Sequence, residues 1–248
     1  ADNRLHYRSK YALAHAMLAE LATLLPKGHK VYVLFDSWYA SKKLIKYCRR
    51  QKWHVICAIK SNRRIDKVRV DQHNLALRHK PYQQITLEAV DEQHKAPTYY
   101  TRLVKGHLED FAEPVHAIIS KKRPRDKFPK YFVCTDLSLT VQQALRYYQK
   151  RWPVEVDNTY LKNALGLGDF RLQSFEATQK WFAVVMLAIN YLQYRLALTY
   201  NQNLPKASLA DFIRLHRLAH FQTLLRTALQ PFAQPQQIET CLQEVFAT

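Results

Sequence analysis

Cysteine is scarce in this chain. None of its four cysteines, Cys48, Cys57, Cys134 and Cys241, is paired at metal-ligand spacing, so a zinc site is not indicated. Cys57 and Cys134 sit inside apolar, strand-like runs and are expected as core thiols, which fits a reducing cytoplasm. Long apolar runs are also missing. The longest, Trp181 to Ile189, falls short of the ~20 residues a membrane span needs. Asn190, Gln193 and Arg195 then make that helix an ordinary one, and no membrane partner is expected. There is no signal-peptide pattern, no internal repeat and no low-complexity tract. The chain opens on Ala1 rather than Met, as a fragment or a processed chain does.

Acidic residues are few as well. Asp and Glu total 20 against 38 Lys and Arg, a formal charge of +18. Such an excess costs self-repulsion unless something anionic relieves it. Nucleic acid is the leading partner class, because Lys and Arg displace counterions condensed on phosphates. The basic residues are spread along the chain rather than gathered on one amphipathic helix, which disfavours a membrane surface. With 248 residues, 48% of them hydrophobic, the chain can bury a substantial core as one large domain or a domain with an insertion.

Ser9 is placed to cap a helix running to about Leu25, with Leu13, Leu18, Leu21, Leu24 and Leu25 as its apolar stripe. Val31 to Phe35 reads as a buried strand that stops at Asp36. Ser41 opens a helix to about Gln51, and His54 to Ile59 reads as a second buried strand. This order predicts an α/β unit with parallel strands. From Lys60 to Lys130 the segments shorten and alternate (Tyr82–Ala89, Tyr99–Val104, Val115–Ile119), which predicts an inserted antiparallel β subdomain. Tyr131 to Thr135 is another buried-type strand, ending at Asp136. After Ser138 the pattern is helical, over about 141–164, 176–200, 207–229 and 235–246. The expected domains are 1–59, the first part of the core; 60–137, the β-rich insertion and returning strand; and 138–248, the helical region.

Two features carry chemistry. Asp36 stands at the carboxyl end of a strand, where ligands of α/β sheets bind, and a carboxylate there suits Mg²⁺; taken alone, a turn or a helix cap is the commoner role of such an Asp. Tyr148, Arg151, Glu155 and Lys162 are spaced by three, four and seven. At ~100° per residue they return to nearly one helix face, although Pro153 interrupts it. One carboxylate, two cations and a phenol are what a metal-bound phosphodiester needs. His216 and His220 have ligand spacing, but no acid stands between them and apolar residues surround them, so a packing or surface role is expected. Trp38, Trp53 and Trp152 could stack on unpaired bases, with core packing the expectation for each. Parts of the basic runs Lys42–Lys52, Lys60–Arg69 and Lys121–Lys130 are expected to contact DNA backbone.

Tyr148, Arg151, Glu155 and Lys162 resemble the Y-R-E-K signature of DDE transposases from bacterial insertion sequences. Arg151-Trp152-Pro153, Leu165 to Asp169, and Val31 to Ser41 also look like that family. The resemblance implies a ribonuclease H-like core and maps the second catalytic Asp onto Asp36 and the Glu onto Glu155. The first Asp, and the strands that carry it, are expected outside this chain. A rival mapping makes Asp36 the first Asp and Asp136 the second. The resemblance further implies two Mg²⁺ ions (Mn²⁺ in substitution), held in part by Asp36 and Glu155, with phosphates positioned by Tyr148, Arg151 and Lys162. The partners implied are transposon-end and target DNA, engaged by a homodimer in the bacterial cytoplasm at the nucleoid. The implied function is cut-and-paste DNA transposition. The alternative is a truncated, inactive remnant that binds DNA or inhibits the intact enzyme.

Overall fold

The computed structural model describes residues 7–26, 28–89, 95–169, 171, 174–201, 208–230, 237, 238 and 240. The chain forms two compact units, Ala1–Trp152 and Pro153–Thr248. The first is built on one six-stranded mixed sheet. In chain order its strands are β1 (Tyr32–Phe35), β2 (His54–Ile59), β5 (Gln83–Thr86), β6 (Thr98–His107), β7 (Pro114–Lys121) and β8 (Lys130–Cys134). A short hairpin, β3 (Arg64–Ile65) and β4 (Val68–Arg69), precedes β5. The spatial order is β1-β2-β8-β7-β6-β5. β1 and β2 run parallel, as the helix–strand alternation predicts, and every other pair in the sheet is antiparallel. The segments expected to build a separate antiparallel subdomain instead extend the same sheet. Strand β7 pairs with β8, and this pairing joins β5, β6 and β7 to the core sheet.

Successive residues of the central strands enter two different cores, as a sheet covered on both faces requires. Val55, Cys57 and Ile59 of β2 join Val133 and Tyr131 of β8 in one core, while Ile56, Phe132 and Cys134 join the other. Helices α1 (Lys10–Leu24), α2 (Lys42–Arg50) and α3 (Val70–Ala76) follow in the chain before β5, and α4 (Val141–Gln149) comes after β8. The first core takes up Leu44, Ile45 and Cys48 of α2, and the second takes up Ala144 and Leu145 of α4. The Ser9 and Ser41 caps form as expected, accepting from the amides of Ala12 and Leu44. Two expectations need correction. Helix α1 packs through Ala14, Leu18, Ala19 and Ala22, because small side chains admit close approach, and Leu13, Leu21 and Leu24 of the expected stripe are exposed. Strand β1 is half-buried rather than buried, because it is the edge of the sheet.

The second unit contains α5 (Trp152–Thr159, opening on the last residue of the first unit), a π-helical turn (Tyr160–Ala164), α6 (Phe175–Asn201) and α7 (Leu209–Leu229). Leu161, Val185 and Ile189 form its small core, with Trp181 and Leu165 packed against them. The stretch Phe175–Leu198 of α6, 24 residues at mean hydropathy 1.3, is long and apolar enough to cross a membrane by length and composition. The uninterrupted run Trp181–Ile189 understates this, because isolated polar residues break the run without lowering the mean enough. The helix expected over about 235–246 lies almost wholly outside the described residues, as do Asp2 and Cys241.

A buried carboxylate ties three strands together at one end of the sheet. Asp136, just past β8, is 4% exposed. Its Oδ2 accepts the Tyr32 hydroxyl at 2.6 Å and pairs with Lys30 Nζ at 2.7 Å. Its Oδ1 accepts the Ser138 amide at 2.9 Å and hydroxyl at 2.6 Å. His54 Nε2, at the start of β2, stands 3.9 Å away. Burial pushes the Asp136 pKa up, but the Lys30, Ser138 and Tyr32 donors together outweigh it and hold the carboxyl well below the usual carboxylate range. A depressed folded pKa gives stability that is complete above the ordinary value of 3.8 and is lost as pH falls below it. Asp136→Asn is therefore expected to lower the urea midpoint at neutral pH. It should also flatten the loss of stability between about pH 5 and pH 2. Parallel pH curves for the two proteins, measured by urea unfolding, would remove Asp136 from this role.

Candidate active site

Asp36 follows directly on β1 and is half-buried. Its Oδ1 accepts the Trp38 amide at 2.9 Å, and its carbonyl accepts the Tyr39 amide at 3.3 Å. The aspartate thus does form a turn, through one oxygen. Oδ2 accepts no hydrogen bond among the described residues. A hard, anionic oxygen at a strand's carboxyl end fits a Mg²⁺ ligand. Beside it, Trp38 is 66% exposed, with Lys10 Nζ 4.1 Å from its ring centroid. The core expectation fails for Trp38 and for Trp152, which is 60% exposed; it holds for Trp53, which is buried. Lys10 had no sequence signal beyond its place just after the Ser9 cap.

Asp36 and Asp136 are not brought together. Because β8 runs antiparallel to β2, and β2 parallel to β1, the carboxyl end of β8 lies at the amino ends of β1 and β2. Asp136 holds Tyr32 at the start of β1, whereas Asp36 follows its end. The length of β1 separates those ends, roughly 13 Å at about 3.3 Å per residue. Strand direction thus places the two aspartates of the rival mapping, Asp36 and Asp136, at opposite ends of β1.

Tyr148 and Arg151 are brought together. Helix α4 starts at a capping box made by Thr140 and Gln143. Near its end the Tyr148 ring meets Phe132 edge-on, 4.8 Å between centroids. The Arg151 guanidinium lies 5.4 Å from the Tyr148 ring centroid. Burial raises the pKa of the Tyr148 hydroxyl, and the Arg151 charge opposes the rise without cancelling it. At neutral pH the phenol is a hydrogen-bond donor.

Glu155 and Lys162 belong to the second unit, and the expected single helix face does not form. Helix α4 ends at Gln149, and α5 begins at Trp152. Pro153 explains the break: it has no amide to give the Gln149 carbonyl, and its ring would collide with that group. In the first turn of a new helix the missing amide costs nothing. Glu155 is half-buried in the first turn of α5, where its charge suits the helix dipole. Lys162 is exposed on the π-helical turn, which closes where the Leu165 amide reaches the Tyr160 carbonyl at 3.0 Å. Such turns concentrate at functional sites, and periodicity gave no sign of this one. No group of three or more His, Cys, Asp or Glu that could hold a metal ion is found among the described residues. His216 stacks on Phe212 and meets Tyr191 edge-on, a packing role.

These placements can be set against known proteins. No curated protein matches the chain. Among solved structures it is similar to piggyBac transposase in its synaptic complex with hairpin DNA, determined by cryo-EM. The identity is 13% and the TM-score 0.49, over 97% of this chain and 46% of that one, so this chain spans about half that protein's length. The transposase DDE domain family matches residues 8–191. That match takes in Asp36 and the whole Tyr148–Lys162 signature, and this chain belongs to the DDE transposase family.

Proposed function

We propose that this chain is the greater part of the catalytic domain of a cut-and-paste DNA transposase, which cleaves transposon ends and joins the freed 3′ ends to target DNA. The carrying observation is that the family match includes an Asp at the carboxyl end of β1 with Oδ2 open, followed in order by the full signature. Asp36 and Glu155 would hold Mg²⁺, or Mn²⁺ in its place. A bound ion pair supplies an activated water or 3′-hydroxyl and stabilises the leaving oxygen. Arg151 and Lys162 bind phosphate oxygens, Arg as a planar fork and Lys as a point charge. Tyr148 donates its hydroxyl to a phosphate while its ring stays packed on Phe132. The exposed Trp38 offers a stacking surface for an unpaired base beside Asp36.

In this reading the sheet is ribonuclease H-like and the first catalytic Asp lies outside residues 1–248. The edge position of β1 leaves room for the strand that would carry it. Residues 60–137 are the insertion between the core and the helical region 138–248. The working form is a homodimer on paired transposon ends in the bacterial cytoplasm, with a hairpin intermediate as one route. The second reading is an inactive remnant that binds DNA and pairs with an intact enzyme.

Cleavage of a labelled transposon end in Mg²⁺ or Mn²⁺ tests both readings. The 248 residues alone are expected to be inactive, and the same chain joined to its coding sequence upstream is expected to cleave. Glu155→Gln in the extended enzyme should cut cleavage by more than about 100-fold, beyond the 10–100-fold typical of a ligand's outer partners. DNA binding should be largely kept. An extended enzyme that never cleaves supports the remnant.

Two further substitutions refine the site. Tyr148→Phe keeps the ring on Phe132 and gives up the hydroxyl's hydrogen bond with Arg151, so melting should fall by no more than a few degrees. The loss of one hydrogen bond to a charged group, about 1.5 kcal/mol, should slow cleavage about tenfold. Asp136→Asn should keep most of the cleavage rate, measured well below its melting temperature. Loss of cleavage in a folded Asp136→Asn protein would bring back the Asp36–Asp136 mapping.

A further inference from the structure

Helix α2 has two unlike sides. Leu44, Ile45, Tyr47 and Cys48 are buried against the sheet. Lys43, Lys46 and Arg50 are exposed, at spacings of three and four that place all three on one line along the helix. That line borders a concavity of about 510 Å³, walled by His15 of α1 and by Phe111 and Glu113 of the β6–β7 loop.

The charges around it sort cleanly. Glu113 is taken by Arg49, whose Nε and Nη2 both reach its Oε2 at 2.7 Å. Arg49 also donates to the Trp53 carbonyl at 3.2 Å, so it braces the end of α2. Lys42 pairs with Asp110 at 3.1 Å. The neighbouring acids are thus both engaged. Lys43, Lys46 and Arg50 have no ion-pair partner among the described residues. His15 is held with its ring 4.2 Å from Tyr47 and adds a further imidazole to the rim.

Three cations held in line on a rigid, buried-backed helix fit a linear polyanion better than a single small anion. From Lys43 to Arg50 the helix advances about 10 Å at 1.5 Å per residue. That length matches about three phosphates of one DNA strand at 3.4 Å of axis each. The concavity between α1, α2 and the loop leaves room for a sugar–phosphate ridge. We propose that the Lys43–Lys46–Arg50 line of α2 is a second DNA contact, a backbone-tracking site for duplex DNA separate from Asp36. It rests on the reading of the chain as a DNA-binding transposase. It makes no base contacts, so it binds without sequence preference and adds register and affinity.

The test is a salt titration of the 248-residue chain with a labelled duplex of unrelated sequence. Removing one cation that neutralises a phosphate should reduce the slope of log K against log salt by about 0.9. Lys43→Gln/Lys46→Gln/Arg50→Gln should therefore lower the slope by about 2–3, with melting unchanged because all three side chains are exposed. Lys80→Gln/Lys105→Gln, two exposed cations elsewhere on the same unit, should leave the slope as it was. A wild-type slope in the triple variant overturns the site, and so does an equal loss per charge in the control pair. If the wild-type chain shows no salt-dependent duplex binding, the DNA-binding reading itself fails, an outcome distinct from failure of the α2 line.

Discussion

The position of every candidate group in the first unit depends on strand β2. Val55, Ile56 and Cys57 are fully buried, because the strand has a core on each face. Each such aliphatic side chain contributes about 1.5–3 kcal/mol, and a one-residue slip would exchange the two faces. The register is therefore strongly fixed. On one side β2 pairs with β1 in parallel and on the other with β8 in antiparallel. Those two directions alone send Asp36 to one end of the sheet and Asp136 to the other. The Thr135 hydroxyl and amide clamp the Val55 amide and carbonyl at 2.8 and 3.0 Å, extending the β2–β8 pairing to the point where Asp136 turns inward. One carboxylate is left partly open in a turn, and the other has four donors aimed at it.

That contrast explains why the two aspartates looked alike in sequence. Each ends an apolar run, and each has a serine within the next two residues, Ser37 and Ser138. Local pattern carries no information about strand direction, which is settled by contacts across many residues. The elements that were legible are those decided locally: the Ser9 and Ser41 caps, the bounds of β2, and the type of the strands around residues 100, 117 and 132. What was illegible is non-local. The half-burial of β1 follows from its place at the sheet's edge, and the turning of α1 onto its alanines follows from how closely it approaches α2. The hairpin β3–β4 and helix α3 were missed for a different reason: they are too short for any periodicity to emerge.

Charge behaves the same way. An excess of Lys and Arg was legible, but not its division of labour. Arg102 is spent on structure, reaching the Asn74 carbonyl and side chain with its Nη1 and lying 3.9 Å over the Tyr82 ring. Arg49 and Lys30 are likewise committed to Glu113 and Asp136. Cations of this kind cannot release counterions from DNA without surrendering what they hold. The count of 38 Lys and Arg is therefore an upper bound on the groups available for phosphate contacts. The exposed line on α2 differs in kind, because its acid neighbours are already engaged and its backbone is anchored by the core.

Pro153 has a comparable effect on the signature. A continuous helix from 141 to 164 would set the relation of Tyr148, Arg151, Glu155 and Lys162 by helical pitch alone. The break after Gln149 removes that coupling, and the two halves are held by different forces. Tyr148 and Arg151 are fixed by the packing of α4 on the sheet, through Ala144, Leu145 and the Phe132 contact. Lys162 is fixed by the π-helical turn, whose Leu161 is buried against Val185 and Ile189 of α6. A turn closed by bonds five residues apart winds each residue through a smaller angle than an α-helix does. Lys162 therefore leaves the line it would share with Glu155 on an α-helix, although the sequence spacing of seven suggests alignment. The spacing of the signature is better understood as the product of a proline break and a π turn than as a helical face.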